Sequence, residues 1–284
     1  LQPFTLTLPD IRSTSVVFAS PHSGRSYPWE FVRGSVLDER TLRSSEDAFV
    51  DRIFAPATDF GAPLLTATYP RAWLDVNRSA DELDPALIEG VRRGAHNPRV
   101  ASGLGVVPRV VANGRAIYRG KISANEAEAR IHDVWRPWHG ALSRLLGESH
   151  ALFGEAILVD CHSMPHEAID NLSHHRGARP EIVLGDRFGA AAGAEVVDRI
   201  EAAFSSAGFR VARNAPFAGA YVTQNYGRPA RRQHVVQVEI DRALYMDERQ
   251  VRPNAEYDGF LNVMRDVVGD IAEIGRRDIP LAAE

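Results

Sequence analysis

The sequence holds one cysteine, Cys161, among 284 residues. An internal disulfide is therefore excluded, and a lone thiol suits a reducing cytoplasm. Long apolar runs are missing: nothing approaches the ~20 residues of a membrane span. The opening "LQPFTLTLPD" lacks the basic stretch and apolar run of a secretory leader. Runs of like charge are missing too. Lys and Arg number 33 against 37 Asp and Glu, a net charge of −4, which argues against nucleic acid or an anionic membrane as partner. The densest basic segments, 91–96 and 228–234, are short and read as solvated loop faces. The short signatures of a serine-hydrolase elbow, a P-loop and a dinucleotide fold are all absent. "HEAID" at 166–170 starts like a zinc-protease helix but has no second histidine. These absences leave a cytoplasmic, soluble protein acting on a small molecule, with reactive groups gathered from dispersed segments.

Apolar content of 44% and charged content of 25% are enough for a sizeable core without staples. Short β-branched runs bounded by Gly, Pro or Asn predict strands at 15–20, 63–69, 72–77, 155–163, 181–186, 209–214, 221–226 and 234–241. Helical periodicity predicts helices within 44–61, 123–154, 187–209 and 255–277. Ser123 with Glu126 forms a capping box, Pro137 is expected to kink or divide the second stretch, and Phe260, Met264, Val267, Val268, Ile271 and Ile274 give the last one an apolar stripe. Strands alternating with helices predict an α/β fold, a mostly parallel or mixed twisted sheet flanked by helices on both faces. We expect one catalytic domain over 1–284, with 79–122 a loop-rich insertion over the site.

Three of the predicted strands finish on a reactive side chain: "VVFASPHS" on His22, "AILVDCHS" on His162 and "VVQVE" on Glu239. In open α/β sheets the site lies beyond the carboxyl ends of the strands. Two imidazoles and a carboxylate are a usual ligand set for catalytic Zn2+. "SSEDAFVD" at 44–51 offers Glu46, Asp47 and Asp51 as the oxygen donor, and compensation of a helix dipole is the competing role for each. Adjacent strand residues point to opposite faces, so Cys161 and His162 cannot form a dyad; Cys161 reads as core, Ser163 as a turn hydroxyl. Asp160 shares the face of His162 and could orient its ring. Arg78, after Asn77, is either an ion-pair partner of Asp81 or Asp84 or a fork for a substrate carboxylate.

The ordered blocks "PHSG" (21–24), "EDAFVD" (46–51), "YPRAWLDVNR" (69–78), "GLGVVPR" (103–109), "DCHSMP" (160–165), "IVLGDRFG" (182–189), "PFAGAYVTQNYG" (216–227) and "VQVEIDRALYMDE" (236–248) are spread over most of the chain. In these the chain resembles the N-formylglutamate amidohydrolase family, relatives of zinc carboxypeptidases and aspartoacylase. The resemblance implies a zinc-exopeptidase-like fold with one catalytic Zn2+ held by His22, Asp47 and His162. It implies Glu239 as general base, Asn77 with Arg78 as a carboxylate clamp, and Arg71 as a further substrate contact. Arg109 or Arg242 would meet a second substrate carboxylate. The implied reaction splits N-formyl-L-glutamate into formate and L-glutamate, the last step of one route of histidine degradation. Two departures stand out: "EDAF" lacks the aromatic–histidine pair that often follows the acid, and Asp241 stands where many relatives show Asn. Two other readings stay open, a hydrolase of another N-acyl amino acid or small amide, and a non-catalytic binding protein of the same fold. The oligomeric state is not set by the sequence.

Overall fold

The nine residues Ala156–Met164 are buried without interruption, the mark of a strand covered on both faces. A computed structural model describes residues 1–92, 97–169 and 179–276 and places this strand, β4, at the centre of a seven-stranded sheet. Its companions are β1 (Phe4–Thr7), β2 (Val16–Ser20), β3 (Leu64–Ala67), β5 (Ile182–Gly185), β6 (Val211–Arg213) and β7 (Gln233–Asp241). The order across the sheet is β1-β3-β2-β4-β7-β5-β6. The run β3-β2-β4-β7 is parallel; β1 and β5 join it antiparallel, and β6 runs parallel to β5. The expected mixed α/β sheet is borne out.

Helices cover both faces. They are α1 (Ala124–Arg130), α2 (Arg136–Phe153), α3 (Ala194–Ser206), α4 (Tyr221–Tyr226) and α5 (Tyr257–Ile274). On one face α3 and α5 bring Val197, Ile200, Phe204, Met264, Val267 and Ile271 onto Val159, Cys161, Val238 and Ile240. On the other, α1, α2 and α4 bring Ala127, Trp138, Leu142 and Val222 onto Val17, Ala19, Leu158 and Val235. Among the described residues, no helix is long and apolar enough to cross a membrane.

Three local expectations need correction. Residues 72–77 form turns, not a strand: Trp73 N donates to Pro70 O and Asn77 N to Asp75 Oδ1, so local bonds displace a ladder. Residues 221–226 are helical despite their β-rich composition; Thr223 Oγ1 donates back to Ala220 O, and Asn77 Oδ1 accepts from Val222 N in the first turn. The stretch 44–61 yields only the short helix Val50–Ile53 and the 3-10 turn Ala55–Phe60, because Phe49 takes a left-handed φ of 68° just before it. The division expected near Pro137 is present: the π-helical segment Ile131–Trp135 separates α1 from α2, and Pro137, which cannot donate to the turn before it, lies in the first turn of α2. Among the described residues of 79–122 the elements are short, such as Pro98–Ala101 and Ala112–Gly114. Expectations placed on 93–96, 170–178 and 277 lie outside the described residues.

Candidate active site

Strand register builds the site. In the parallel pair β4–β7, His162 lies beside Glu239 and Asp160 beside Gln237. These four stand on the face opposite Cys161 and Val238, because successive strand side chains alternate. His22 follows two residues after β2 ends at Ser20. The turn there is tight, since a Cβ on Gly24 would meet Tyr69 O at 2.1 Å; only glycine admits that approach. Asp47 arrives on a loop tied to this turn, its N donating to His22 O at 3.0 Å.

Three segments distant in sequence thereby meet. His22, Asp47 and His162, all buried, each offer one ligand atom, and these atoms lie within 4.8 Å of one another. Asp47 Oδ2 is 3.0 Å from His162 Nδ1 and 3.3 Å from His22 Nδ1. The far side of each ring is held by a carboxylate. His22 Nε2 lies 2.7 Å from Asp75 Oδ1, and His162 Nε2 lies 3.1 Å from Asp160 Oδ2. Carboxylates accepting from Nε2 leave both Nδ1 atoms turned towards Asp47. The other Asp47 oxygen, Oδ1, accepts from Arg242 Nη2 at 3.0 Å and from Ser163 Oγ at 3.3 Å.

Two features of this cluster suit a metal ion. His22 Nδ1 is a buried nitrogen without a hydrogen-bond partner, and such atoms are rare. Asp47, Asp75, Asp160 and Glu239 are all buried, while Arg71 donates to Asp75 and Arg242 to Asp47. Buried carboxylates in that number call for further positive charge. The protonation pattern follows from the same crowding. Burial alone would raise Asp47, yet the bond from His162 and the close imidazole of His22 hold it well below the usual carboxylate range. Burial would lower His162, but Asp160 and Asp47 push it well above that of an ordinary imidazole. Glu239 is pushed up to about 7, by burial first and by the nearby charge of Asp47, against the pull of His162, Arg71 and Arg242. Its Oε1 also accepts from Gln237 Nε2 at 2.8 Å.

A cavity of about 410 Å³ opens beside the cluster, with Arg71, Asp75, Glu239 and Arg242 along one side. Residues of the 79–122 segment form much of the rest, among them Leu104, Val110 and Val111, with Phe217 joining them. The acid left open between neighbours is resolved by direction. Glu46 turns away, its Oε1 accepting from Tyr27 OH at 2.7 Å and Arg43 Nε at 3.0 Å. Asp51 pairs with Arg25.

The expected carboxylate clamp is placed differently. Asn77 Nδ2 lies 3.1 Å from His162 Nε2 and donates to Asp160 Oδ2 at 3.4 Å, while its Oδ1 accepts from Val222 N. Arg78 donates to Leu104 O and to Asn77 O. Neither is among the described cavity-lining residues. The Asn77 amide and the Nε and Nη1 of Arg78 are thus engaged inside the protein. Of the two partners foreseen for Arg78, Asp81 and Asp84, the second is taken by Arg109 at 2.8 Å. Asp75 and Gln237 are the residues that sequence reasoning missed. A signal existed for Gln237, two residues before Glu239 on the same strand face; for Asp75 the mistaken strand at 72–77 concealed it.

Comparisons with known proteins agree with this geometry. Residues 14–246 match the model of the family described as N-formylglutamate amidohydrolase. The chain is 28% identical over 239 residues to N-formylglutamate deformylase of Pseudomonas putida, spanning 83% of each chain. It is 30% identical over 238 residues to the Pseudomonas aeruginosa protein of the same name, spanning 82% of this chain and 83% of that one. The crystal structure of N-formylglutamate amidohydrolase from Ralstonia eutropha JMP134 superposes with a TM-score of 0.90 at 34% identity, covering 97% of this chain and 99% of the other.

Proposed function

Because the chain belongs to the N-formylglutamate amidohydrolase family, we propose that it is a metal-dependent amidohydrolase that cleaves N-formyl-L-glutamate to formate and L-glutamate. The observation that carries this reading is the buried trio His22, Asp47 and His162, converging within 4.8 Å, beside Glu239 at the edge of the cavity. The trio would hold one Zn2+, two nitrogens and one oxygen being a common catalytic set. When bound, zinc acidifies a water towards a pKa of about 7 and polarises a carbonyl.

The chain's own residues supply the rest. Glu239, as carboxylate, takes the proton of the attacking water and returns it to the departing amine nitrogen of glutamate. In the metal-free protein this carboxyl is pushed up to about 7; a bound cation would draw it down towards the carboxylate that a base requires. Arg71 lines the cavity with Nη2 committed to Asp75, and the rest of its fork grips a substrate carboxylate. Arg242 steadies Asp47, Asp160 orients His162, and Asn77 donates to Asp160. The reaction would close one route of histidine degradation in the cytoplasm.

A second reading keeps the chemistry and changes the amino-acid side chain. Leu104, Val110, Val111 and Phe217 present an apolar wall to the cavity, which suits an N-acyl amino acid with an aliphatic side chain. Formate release measured on zinc-loaded protein decides between them. N-formyl-L-glutamate should be turned over faster than N-formyl-L-leucine, and chelation should abolish both. Leucine preferred over glutamate would transfer the assignment to the second reading; no release from either would remove the enzyme altogether.

A further inference from the structure

The segment Asp75-Val76-Asn77-Arg78 carries two residues that touch the imidazoles of the site, yet it is a turn with no ladder to fix it. Something else must hold its backbone. Two side chains of the neighbouring helix do so. Trp135 Nε1 donates to Arg78 O at 2.8 Å, and His139 Nε2 lies 2.9 Å from Val76 O. The two carbonyls flank Asn77 on either side. The two donors are four residues apart, hence on one helix face and about one turn from each other.

The helix is adapted to this. Trp135 closes the π-helical segment Ile131–Trp135, and single π turns inside α-helices recur at functional sites. The rings of Trp135 and His139 pack with centroids 3.9 Å apart. His139 can donate from Nε2 only as one tautomer, and Tyr226 fixes it: its OH lies 2.8 Å from Nδ1 and donates there. Burial holds His139 down to about 4, so the ring is neutral and keeps that acceptor. Tyr226 belongs to α4, whose Val222 N donates to Asn77 Oδ1 at 2.8 Å. The backbone on both sides of Asn77 and the side-chain oxygen of Asn77 are thus gripped by two helices that share the His139–Tyr226 bond.

We propose that Trp135 and His139 are positioning residues, a clamp on the carbonyls of Arg78 and Val76 that presents Asn77 to Asp160, the carboxylate behind His162, and Asp75 to His22. The inference concerns placement of Asn77 and Asp75 within the free protein, so it stands or falls apart from the reaction assigned above. The test is made on full-length, metal-free, ¹⁵N-labelled protein. The side-chain amide pair of Asn77 is identified by its disappearance in Asn77→Asp. It should move in Trp135→Phe, which keeps a ring but removes the donor, and in His139→Phe. It should stay in place in His139→Gln, whose amide can still donate to Val76 O. The Zn2+ dissociation constant, read by competition with a chelator, should rise about tenfold or more in the two phenylalanine variants, the range seen when a ligand's supporting partner is lost. A purely structural role would lower the melting temperature and leave both readouts unchanged. An unmoved Asn77 amide in Trp135→Phe overturns the proposal even if His139→Phe does not fold.

Discussion

On β4, Val159 and Cys161 face α3 and α5, while Asp160 and His162 face the other way; on β7, Val238 and Ile240 stand back to back with Gln237 and Glu239. The two faces are equally buried and are separated only by the alternation of the strand. One face is covered along its length by α3 and α5 and holds the fold together. The other packs Leu158 and Val235 under α1, α2 and α4 and, at its carboxyl end, meets the cavity and concentrates carboxylates, imidazoles and arginines. A rigid parallel pair is thus given two tasks by a period of two. Packing on the first face fixes the backbone, and the fixed backbone carries Glu239 and His162 in register on the second.

Substitutions on either side of β4 and β7 should have effects of different kind. The largest effect on turnover is expected from Glu239→Gln, which should cut kcat by ~10²–10⁴ with Zn2+ content by mass spectrometry unchanged. Full activity in that variant would remove Glu239 from the chemistry. The same pair of proteins tests the perturbed carboxyl. With its folded-state value about 7 against 4.5 for a free glutamate, the native metal-free protein binds the extra proton between those limits. Its contribution to stability is full below about 4.5 and is lost as pH rises through about 7. Measured by urea unfolding of metal-free protein, the wild type should therefore lose stability relative to Glu239→Gln across this window, by about 3 kcal/mol at most. A difference independent of pH would show that the carboxyl is not raised.

A smaller effect is expected one step back from the cavity. Asp160→Asn leaves the shape of the site but weakens the acceptor on His162 Nε2. Zn2+ affinity should fall about 10–100-fold, while turnover at saturating metal falls less than in Glu239→Gln. The smallest effect on turnover belongs to the opposite face. Ile157→Ala, in the core against α3 and α5, should cost about 2–5 kcal/mol of stability and leave kcat per folded molecule unchanged. A loss of kcat there comparable to that of Asp160→Asn would mean that the two faces are not separable.

His22, His162 and Glu239 could be picked out because each follows or sits in an apolar run that reads as a buried strand, where a charged or titratable side chain is costly unless it is used. Asp47 could be preferred to Glu46 only by resemblance, since two adjacent acids look alike along the chain; the loop sends one to Tyr27 and Arg43 and the other to the imidazoles. Asp75, Asn77 and Arg78 were harder. Their turn is defined by bonds to Val106, Leu104, Trp135, His139 and Val222, none of them a neighbour in sequence. Arg78 commits Nε and Nη1 to the carbonyls of Leu104 and Asn77, a use that no pattern along the chain announces.

What this sequence determined unaided was the central buried strands β2, β3, β4, β5 and β7, the alternation along them and the residue types at their ends, because hydrophobic periodicity is a local property. Which acid joins the two imidazoles, which carboxylate backs each ring and which arginine reaches the cavity were decided by the tertiary structure. Those choices depend on the direction of side chains from segments up to 195 positions apart, as between Asp47 and Arg242, and no local pattern encodes a direction in space.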